Sequence, residues 1–215
     1  ARRLTRNLSR SLGRIPMPGV WAILLAAGES SRMGQLKALL PWRHTSLIEH
    51  QLRSLLDAGV EQVVVVIGHN AERLKPIIEA VDGATWALNN DYLQGKTTSL
   101  KTGVIALSGE QVLDVLLLNV DQPRDPDTVR TLLERHQSSS YRITIPTHGG
   151  KGGHPILIAA ELLPELADIE EESQGLKAVV RRHEDATERL ELDDPSLLWD
   201  LNTPEQYQKA VDSGF

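Results

Sequence analysis

The sequence predicts an α/β protein, a mostly parallel sheet covered by helices on both faces. Three observations carry that expectation. Short apolar runs at 20–26, 62–67 and 112–119 read as strands buried on both sides. Segments with helical spacing of apolar residues alternate with them from residue 20 onward. Over 20–215 there is no internal repeat, long linker or low-complexity tract, so a single domain is expected there.

The elements follow in order. The first strand is 20–26. After a loop, a helix opens at Ser46, with Glu49 three residues on as a capping box, and closes at Gly59. Residues 62–67 contain four successive valines and form a central strand. A helix over about 71–80 comes next, where Pro76 should kink or shorten it. Residues 85–88 are a short strand, 97–107 read as helix, and 112–119 are the second strongly apolar strand. Asp125 caps a helix with Pro126 at its first position, running to about His136. Strands at 141–146 and 155–159 are separated by the glycine-rich stretch 148–153, and 148–155 is glycine-rich enough to be a mobile flap. The last third gives helices near 161–167 and 174–183, a strand at 189–192, and a final helix capped by Thr203 before Pro204.

Composition removes several function classes. The 215 residues include no cysteine, which excludes a disulfide scaffold, a cysteine zinc site, an iron–sulfur protein and a thiol enzyme. The longest apolar run, 20–27, is far short of the roughly 20 residues needed to cross a bilayer. The net charge of −6 is unevenly spread: residues 1–19 hold five arginines and no acid, whereas 161–215 hold five basic and fifteen acidic residues. With only 4% aromatic residues and no basic face, nucleic acid is not an expected partner. The acidic last third reads as a solvated helical surface.

In residues 1–19, Leu4, Leu8, Leu12 and Ile15 recur at helical spacing among the arginines. That pattern suits a transit peptide or a membrane-surface helix, or else a disordered tail not native to the core. Met17-Pro18-Gly19, directly before the first strand, would itself make a sensible start and favours the tail.

The chemistry concentrates after the first strand, in Leu25-Ala26-Ala27-Gly28-Glu29-Ser30-Ser31-Arg32-Met33-Gly34-Gln35-Leu36-Lys37. Small residues at the carboxyl edge of a strand let backbone amides approach an anion, and the edge is the usual ligand side of an open α/β sheet. The spacing is neither the Walker A pattern nor the G-x-G-x-x-G fingerprint. Arg32 and Lys37 would set two positive charges beside a triphosphate. Asp121 ends an apolar strand in Asn119-Val120-Asp121-Gln122-Pro123 and is either a hard oxygen ligand for Mg²⁺ or a turn residue. Asn202, in Asp200-Leu201-Asn202-Thr203-Pro204, is either a second oxygen ligand or a shaper of the turn before Thr203. The loop from Asn90 to Gly103, with Gly95 and Ser99, binds a base edge or ribose, or is capped by Thr97 or Thr98. Gly153 and His154 stand where a substrate could be touched, although a lone histidine is commonly structural. His44 and His69 show no partner spacing.

Taken together, these motifs resemble the nucleotidyltransferases of molybdenum cofactor biosynthesis, over nearly the whole chain from Val20 to about Ala210. The resemblance rests on 25–34 with Lys37 and Leu40-Pro41-Trp42, on Asn90 to Gly103, Asp121-Gln122-Pro123, Gly153-His154-Pro155 and Asp200 to Pro204, in the family's order. Ala26-Ala27-Gly28 and Gly153-His154-Pro155 lean toward the cytidylyltransferase branch. The resemblance implies a three-layer α/β/α fold related to sugar-nucleotide transferases. It also implies a nucleotide held by Leu25, Ala26, Ala27, Gly28, Ser30, Gly34, Asn90, Gly95 and Ser99, and catalysis by Arg32 and Lys37. Mg²⁺, with Mn²⁺ as a substitute, would sit on Asp121 and Asn202, and the acceptor against Gly153 and His154. Asn202 stands where the family usually has Asp, so the second metal position lacks a charge. The implied reaction is CMP transfer from CTP to the phosphate of molybdopterin, in the cytoplasm, with a molybdoenzyme or its chaperone receiving the product. Guanylyl transfer, a sugar-1-phosphate nucleotidyltransferase and a nonenzymatic cofactor-binding chaperone are the alternatives.

Overall fold

The computed structural model describes residues 19–170 and 175–213. The expected basic extension lies outside the described residues apart from Gly19, as does Gln174 at the start of the helix expected over 174–183.

The chain runs β1 (Val20–Ala26), β2 (Pro41–Trp42), β3 (Thr45–Ser46), α1 (Leu47–Ala58), β4 (Gln62–Ile67), α2 (Ala71–Glu79), β5 (Ala84–Leu88), α3 (Lys96–Ala106), β6 (Asp114–Asn119) and α4 (Pro126–Gln137). It continues through β7 (Ile143–His148), β8 (Lys151–Gly152), β9 (Ile156–Ala159), α5 (Leu163–Ala167), α6 (Leu176–Arg182), β10 (Thr187–Glu191) and α7 (Pro204–Asp212). The main sheet is ordered β10-β7-β9-β6-β1-β4-β5, with β8 folded back onto β7 as a hairpin. β1 pairs in parallel with β4 and β6, β4 with β5, and β10 with β7; β9 alone in that order runs the other way, antiparallel to β6 and β7. β2 and β3 form a separate hairpin.

The apolar runs are continuous because both faces are covered. Val20, Ala22, Leu24 and Ala26 of β1 pack with Ile48, Leu52 and Leu55 of α1, Leu74 and Ile78 of α2 and Leu132 of α4. Ile23 of the same strand faces the opposite layer, with Leu100 and Val104 of α3, Leu166 of α5 and Val179 of α6. The result is the expected three-layer arrangement. Leu24 is completely buried, so truncating it to Ala should cost about 2–5 kcal/mol.

α3 comes unusually close to the sheet. A Cβ on Gly103 would fall 2.5 Å from Ile23 Cγ2, so this glycine sets the approach that brings the N-terminus of α3 to the carboxyl edge of β1.

Two local expectations are corrected, and a third, the helix over about 71–80, is met to within a residue. Ser46 caps α1 by accepting from the Glu49 amide at 3.4 Å, but the Glu49 carboxylate turns to Arg53 at 2.8 Å, so the capping box is only half formed. Asp125 stands at the cap of α4 without bonding its amides, because Arg43 holds its carboxylate at 3.0 Å. α2 continues through Pro76 and ends three residues later, at Glu79. The reciprocal capping box is found instead at α7, between Thr203 and Gln206.

Candidate active site

The carboxyl ends of β1 and β6 open into the segment 27–40, and that segment is folded on itself. Two short 3₁₀ turns, Ser31–Met33 and Lys37–Leu39, are held by Ser30, whose carbonyl accepts from the Met33 amide at 2.9 Å and whose hydroxyl accepts from the Lys37 amide at 3.1 Å. Met33, Leu40, Trp42 and Leu47 bury a third cluster together with Leu201 and Ala210 from the C-terminal segment. This small core, added to a bond from the Leu201 amide to the Asp121 carbonyl at 2.9 Å, explains how residues far apart in sequence meet.

They meet at Lys37. Its ammonium donates to Asp121 Oδ2 at 2.6 Å and to Asn202 Oδ1 at 2.7 Å, with Lys37 and Asp121 side chains 12% and 17% exposed. All three line a cleft of about 310 Å³ that is also walled by Leu25, Ala26, Ala27, Gly28, Ser30, Arg32, Gly95 and Ser99. A Cβ placed on Gly28 meets nothing within 4 Å, so the chain itself leaves that space open. Arg32 is exposed on the wall and, among the described residues, has no acidic partner.

Two of the nucleotide-loop expectations are not met. Gly34 does not line the cleft, because its amide closes the local turn onto the Ser31 carbonyl at 3.4 Å. Asn90 is exposed and also outside the cleft. Its neighbour Asn89 is the buried one, donating to Thr98 Oγ1 and Ser99 Oγ, both at 2.9 Å, and accepting from the Asp91 amide at 2.9 Å. Asn89 therefore shapes the loop that presents Gly95 and Ser99.

Beside this cleft lies a second cavity of about 740 Å³, to which Gly153 and His154 contribute. Leu100, Leu117, Ile145, Ile156 and Val180 give it apolar walls; Lys177, Arg181 and Arg189 bring positive charge, and Glu184, paired with Arg189 at 3.1 Å, and Asp200 bring negative charge. Lys177 and Arg181 belong to α6, so the last third of the chain does more than face solvent. Sequence reasoning missed this because the acidic excess of that region hides its one basic helix.

The glycine-rich stretch, expected as a flap, is bonded to Glu191. The Glu191 carboxylate accepts from Thr147 Oγ1 and the Gly149 amide at 2.6 Å and from the Gly150 amide at 3.3 Å, and these bonds hold its carboxyl below the usual range. Gly153 is required by a close approach: a Cβ there would lie 2.5 Å from the Leu197 carbonyl oxygen. His154 Nδ1 is 3.3 Å from Gln122 Nε2. Burial, aided by the charge of Arg124, pushes its pKa down to about 4, so the ring is neutral at pH 7.

Arg124 was not singled out from the sequence, where an arginine after Pro123 resembles any surface charge. It is completely buried. Nε donates to the His154 carbonyl at 2.6 Å, Nη1 to the Pro123 carbonyl at 2.6 Å and Nη2 to the Leu197 carbonyl at 2.9 Å. Burial lowers its pKa to about 10, which leaves it charged at pH 7. One guanidinium thus ties the Asp121 turn, the His154 turn and residue 197 together.

Among the described residues no group of three or more His, Asp or Glu is placed to cage a metal. What the cleft offers is one carboxylate and one amide oxygen, both aimed at the point held by the Lys37 ammonium. Among the described residues no helix is long and apolar enough to cross a membrane.

Comparison with known proteins matches residues 22–187 to the MobA-like NTP transferase domain. Nicotine blue oxidoreductase of Paenarthrobacter nicotinovorans is 30% identical over 207 residues, covering 93% of this chain and 100% of the relative. Molybdenum cofactor cytidylyltransferase of Escherichia coli (strain K12) is 26% identical over 195 residues, covering 90% and 96%. Among solved structures, Rv0371c of Mycobacterium tuberculosis H37Rv superimposes with a TM-score of 0.77 at 25% identity, over 90% of this chain and 98% of that one. Rv0371c has also been solved in complex with manganese.

Proposed function

The chain belongs to the MobA-like NTP transferase domain family, and from that premise we propose that it transfers CMP from CTP to the phosphate of molybdopterin, releasing pyrophosphate. The observation that carries this reading is the meeting of Lys37, Asp121 and Asn202 on the wall of the glycine-loop cleft. The named activity of the Escherichia coli relative supports the choice of donor and acceptor.

In the proposed step an oxygen of the acceptor phosphate forms a bond to the α-phosphorus of CTP. The α–β bridging bond breaks, and its electron pair leaves with pyrophosphate. A phosphomonoester has a second pKa of about 6, so the attacking oxygen is already ionised at neutral pH and no protein base is required. The chain must align two anions and absorb charge on the departing phosphates. Gly28, Ser30 and Arg32 would cradle the triphosphate, whereas the amides of Met33 and Gly34 are engaged inside the loop. Lys37 would supply its ammonium to the phosphates. The base and ribose would lie against Gly95 and Ser99, and the acceptor in the larger cavity beside Gly153 and His154.

The donor set fits a hard divalent ion. Asp121 Oδ2 and Asn202 Oδ1 both reach one cation, the Lys37 ammonium, and both are oxygens. Two protein oxygens are too few for a closed cage, but Mg²⁺ is commonly held by one or two protein oxygens together with waters and substrate phosphates. When bound there, Mg²⁺ or Mn²⁺ would neutralise phosphate charge. A cytoplasmic location, with a molybdoenzyme or its chaperone taking the product, accompanies this reading.

A second reading comes from the relative named an oxidoreductase. The two are separated by incubating the protein with each nucleoside triphosphate, Mg²⁺ and molybdopterin or sugar 1-phosphates while following pyrophosphate, and in parallel by following the colour of nicotine blue with a chemical reductant present. Pyrophosphate release with CTP and molybdopterin is the expected result. Release with GTP or a sugar phosphate instead would reassign the substrates, and protein-dependent reduction of nicotine blue without pyrophosphate would overturn the transferase reading.

A further inference from the structure

Lys96 has no role in the scheme above, yet it stands where the two cavities join. It is the first residue of α3 and lines both of them. Among the described residues only Leu25 and Asn119 share that placement, so Lys96 carries the one charged side chain common to both walls. The residue is exposed, and among the described residues no carboxylate lies within ion-pair distance of it. A cation in the first turn of an eleven-residue helix also runs against the helix dipole, so helix stability does not account for it. A local rule broken without a structural gain points to function.

The other cations divide between the two sides. Arg32 and Lys37 line only the cleft that holds the glycine loop, and Lys177, Arg181 and Arg189 line only the larger cavity. Lys96 alone is shared. Transfer between two phosphates has its most repulsive point at the boundary, where the acceptor dianion must approach the triphosphate.

On the basis of the transferase reading, we propose that Lys96 is a catalytic residue whose ammonium pairs with the terminal phosphate of the acceptor where the cavities join. The acceptor class that follows is a molecule with an apolar or aromatic body, seated among Leu100, Leu117, Ile145 and Val180, that ends in a phosphomonoester.

The test compares wild type, Lys96→Met and Lys96→Arg in pyrophosphate release with CTP, Mg²⁺ and molybdopterin, with the affinity for CTP and Mg²⁺ measured separately by calorimetry. Lys96→Met is expected to lower kcat/KM for molybdopterin by roughly 30-fold, the scale of one hydrogen bond between charged groups, while CTP affinity stays within about threefold. Lys96→Arg should recover most of the loss, since the charge is kept. Acceptor kcat/KM within about twofold of wild type in Lys96→Met overturns the inference. So does a loss in both variants that tracks CTP affinity, which marks a structural lysine. Wild-type protein that releases no pyrophosphate overturns the transferase reading itself, and the role of Lys96 falls with it.

Discussion

The Lys37 ammonium lies 2.6 Å from Asp121 Oδ2, joining the glycine loop to the end of β6 across 84 residues. The same ammonium reaches Asn202 Oδ1 at 2.7 Å, so three loops from distant parts of the chain close around one positive charge. Altering Lys37 or Asp121 therefore changes the charge at the point where phosphates are expected, whereas altering Asn202 removes only a neutral oxygen.

Asp121→Asn keeps the shape of the side chain and removes its charge. It should abolish metal-dependent pyrophosphate release while circular dichroism shows an intact fold. Near-normal turnover in this variant would remove Asp121 from the site.

Lys37→Ala should lower turnover by about 10²-fold or more, with a smaller effect on the acceptor KM. Steady-state kinetics checks this; unchanged kcat would make Lys37 a structural partner of Asp121 only.

Arg124→Met strands three carbonyls and empties a fully buried site of its charge. Each bond from a charged donor contributes about 1.5–3 kcal/mol, and the loss should total about 3 kcal/mol or more in urea unfolding. A cost below about 1 kcal/mol would mean that the turns at 121–124, 154 and 197 hold without it.

His154 is expected to leave a signature in the pH dependence of stability. Its folded pKa of about 4 lies below the ordinary 6.5, so between these values the unfolded chain binds the extra proton. Stability therefore rises with pH through that window, with this one group contributing up to about 1.4 kcal/mol per pH unit. His154→Gln should remove that share of the slope between pH 4 and 6.5. His50, also held below its ordinary value by burial, acts in the same direction and remains. A slope identical in variant and wild type would show that His154 titrates normally.

Much of the fold was legible because burial on both faces writes continuous apolar runs, and β1 and β4 begin and end where those runs do. Asp121 and Lys37 were legible as candidates from the end of one apolar run and the loop after another, whereas Asn202 was marked only by the turn before Thr203 and by the family resemblance. Other features leave no comparable trace. Asn89 and Asn90 are chemically the same residue, and only the position of the β5 end decides that Asn89 turns inward. Arg124 looks like a surface charge until its three carbonyl partners are seen, because those come from residues 123, 154 and 197. The bonds that tie down part of the stretch 148–155, expected as a flap, left no trace for the same reason: their acceptor, Glu191, lies about 40 residues on.

Ligand-induced stabilisation reads whether the cleft built on Lys37 and Asp121 receives CTP with a divalent ion, as proposed. Each nucleoside triphosphate, with and without Mg²⁺, is added to wild type and to Lys37→Ala, and the melting temperature recorded. A ligand at 100 times its Kd adds about 2.7 kcal/mol of stability. CTP with Mg²⁺ should raise the wild-type melting temperature most, and most of that rise should disappear in Lys37→Ala. If no nucleoside triphosphate shifts the wild-type transition, or the shift survives intact in the variant, the account of this cleft is contradicted.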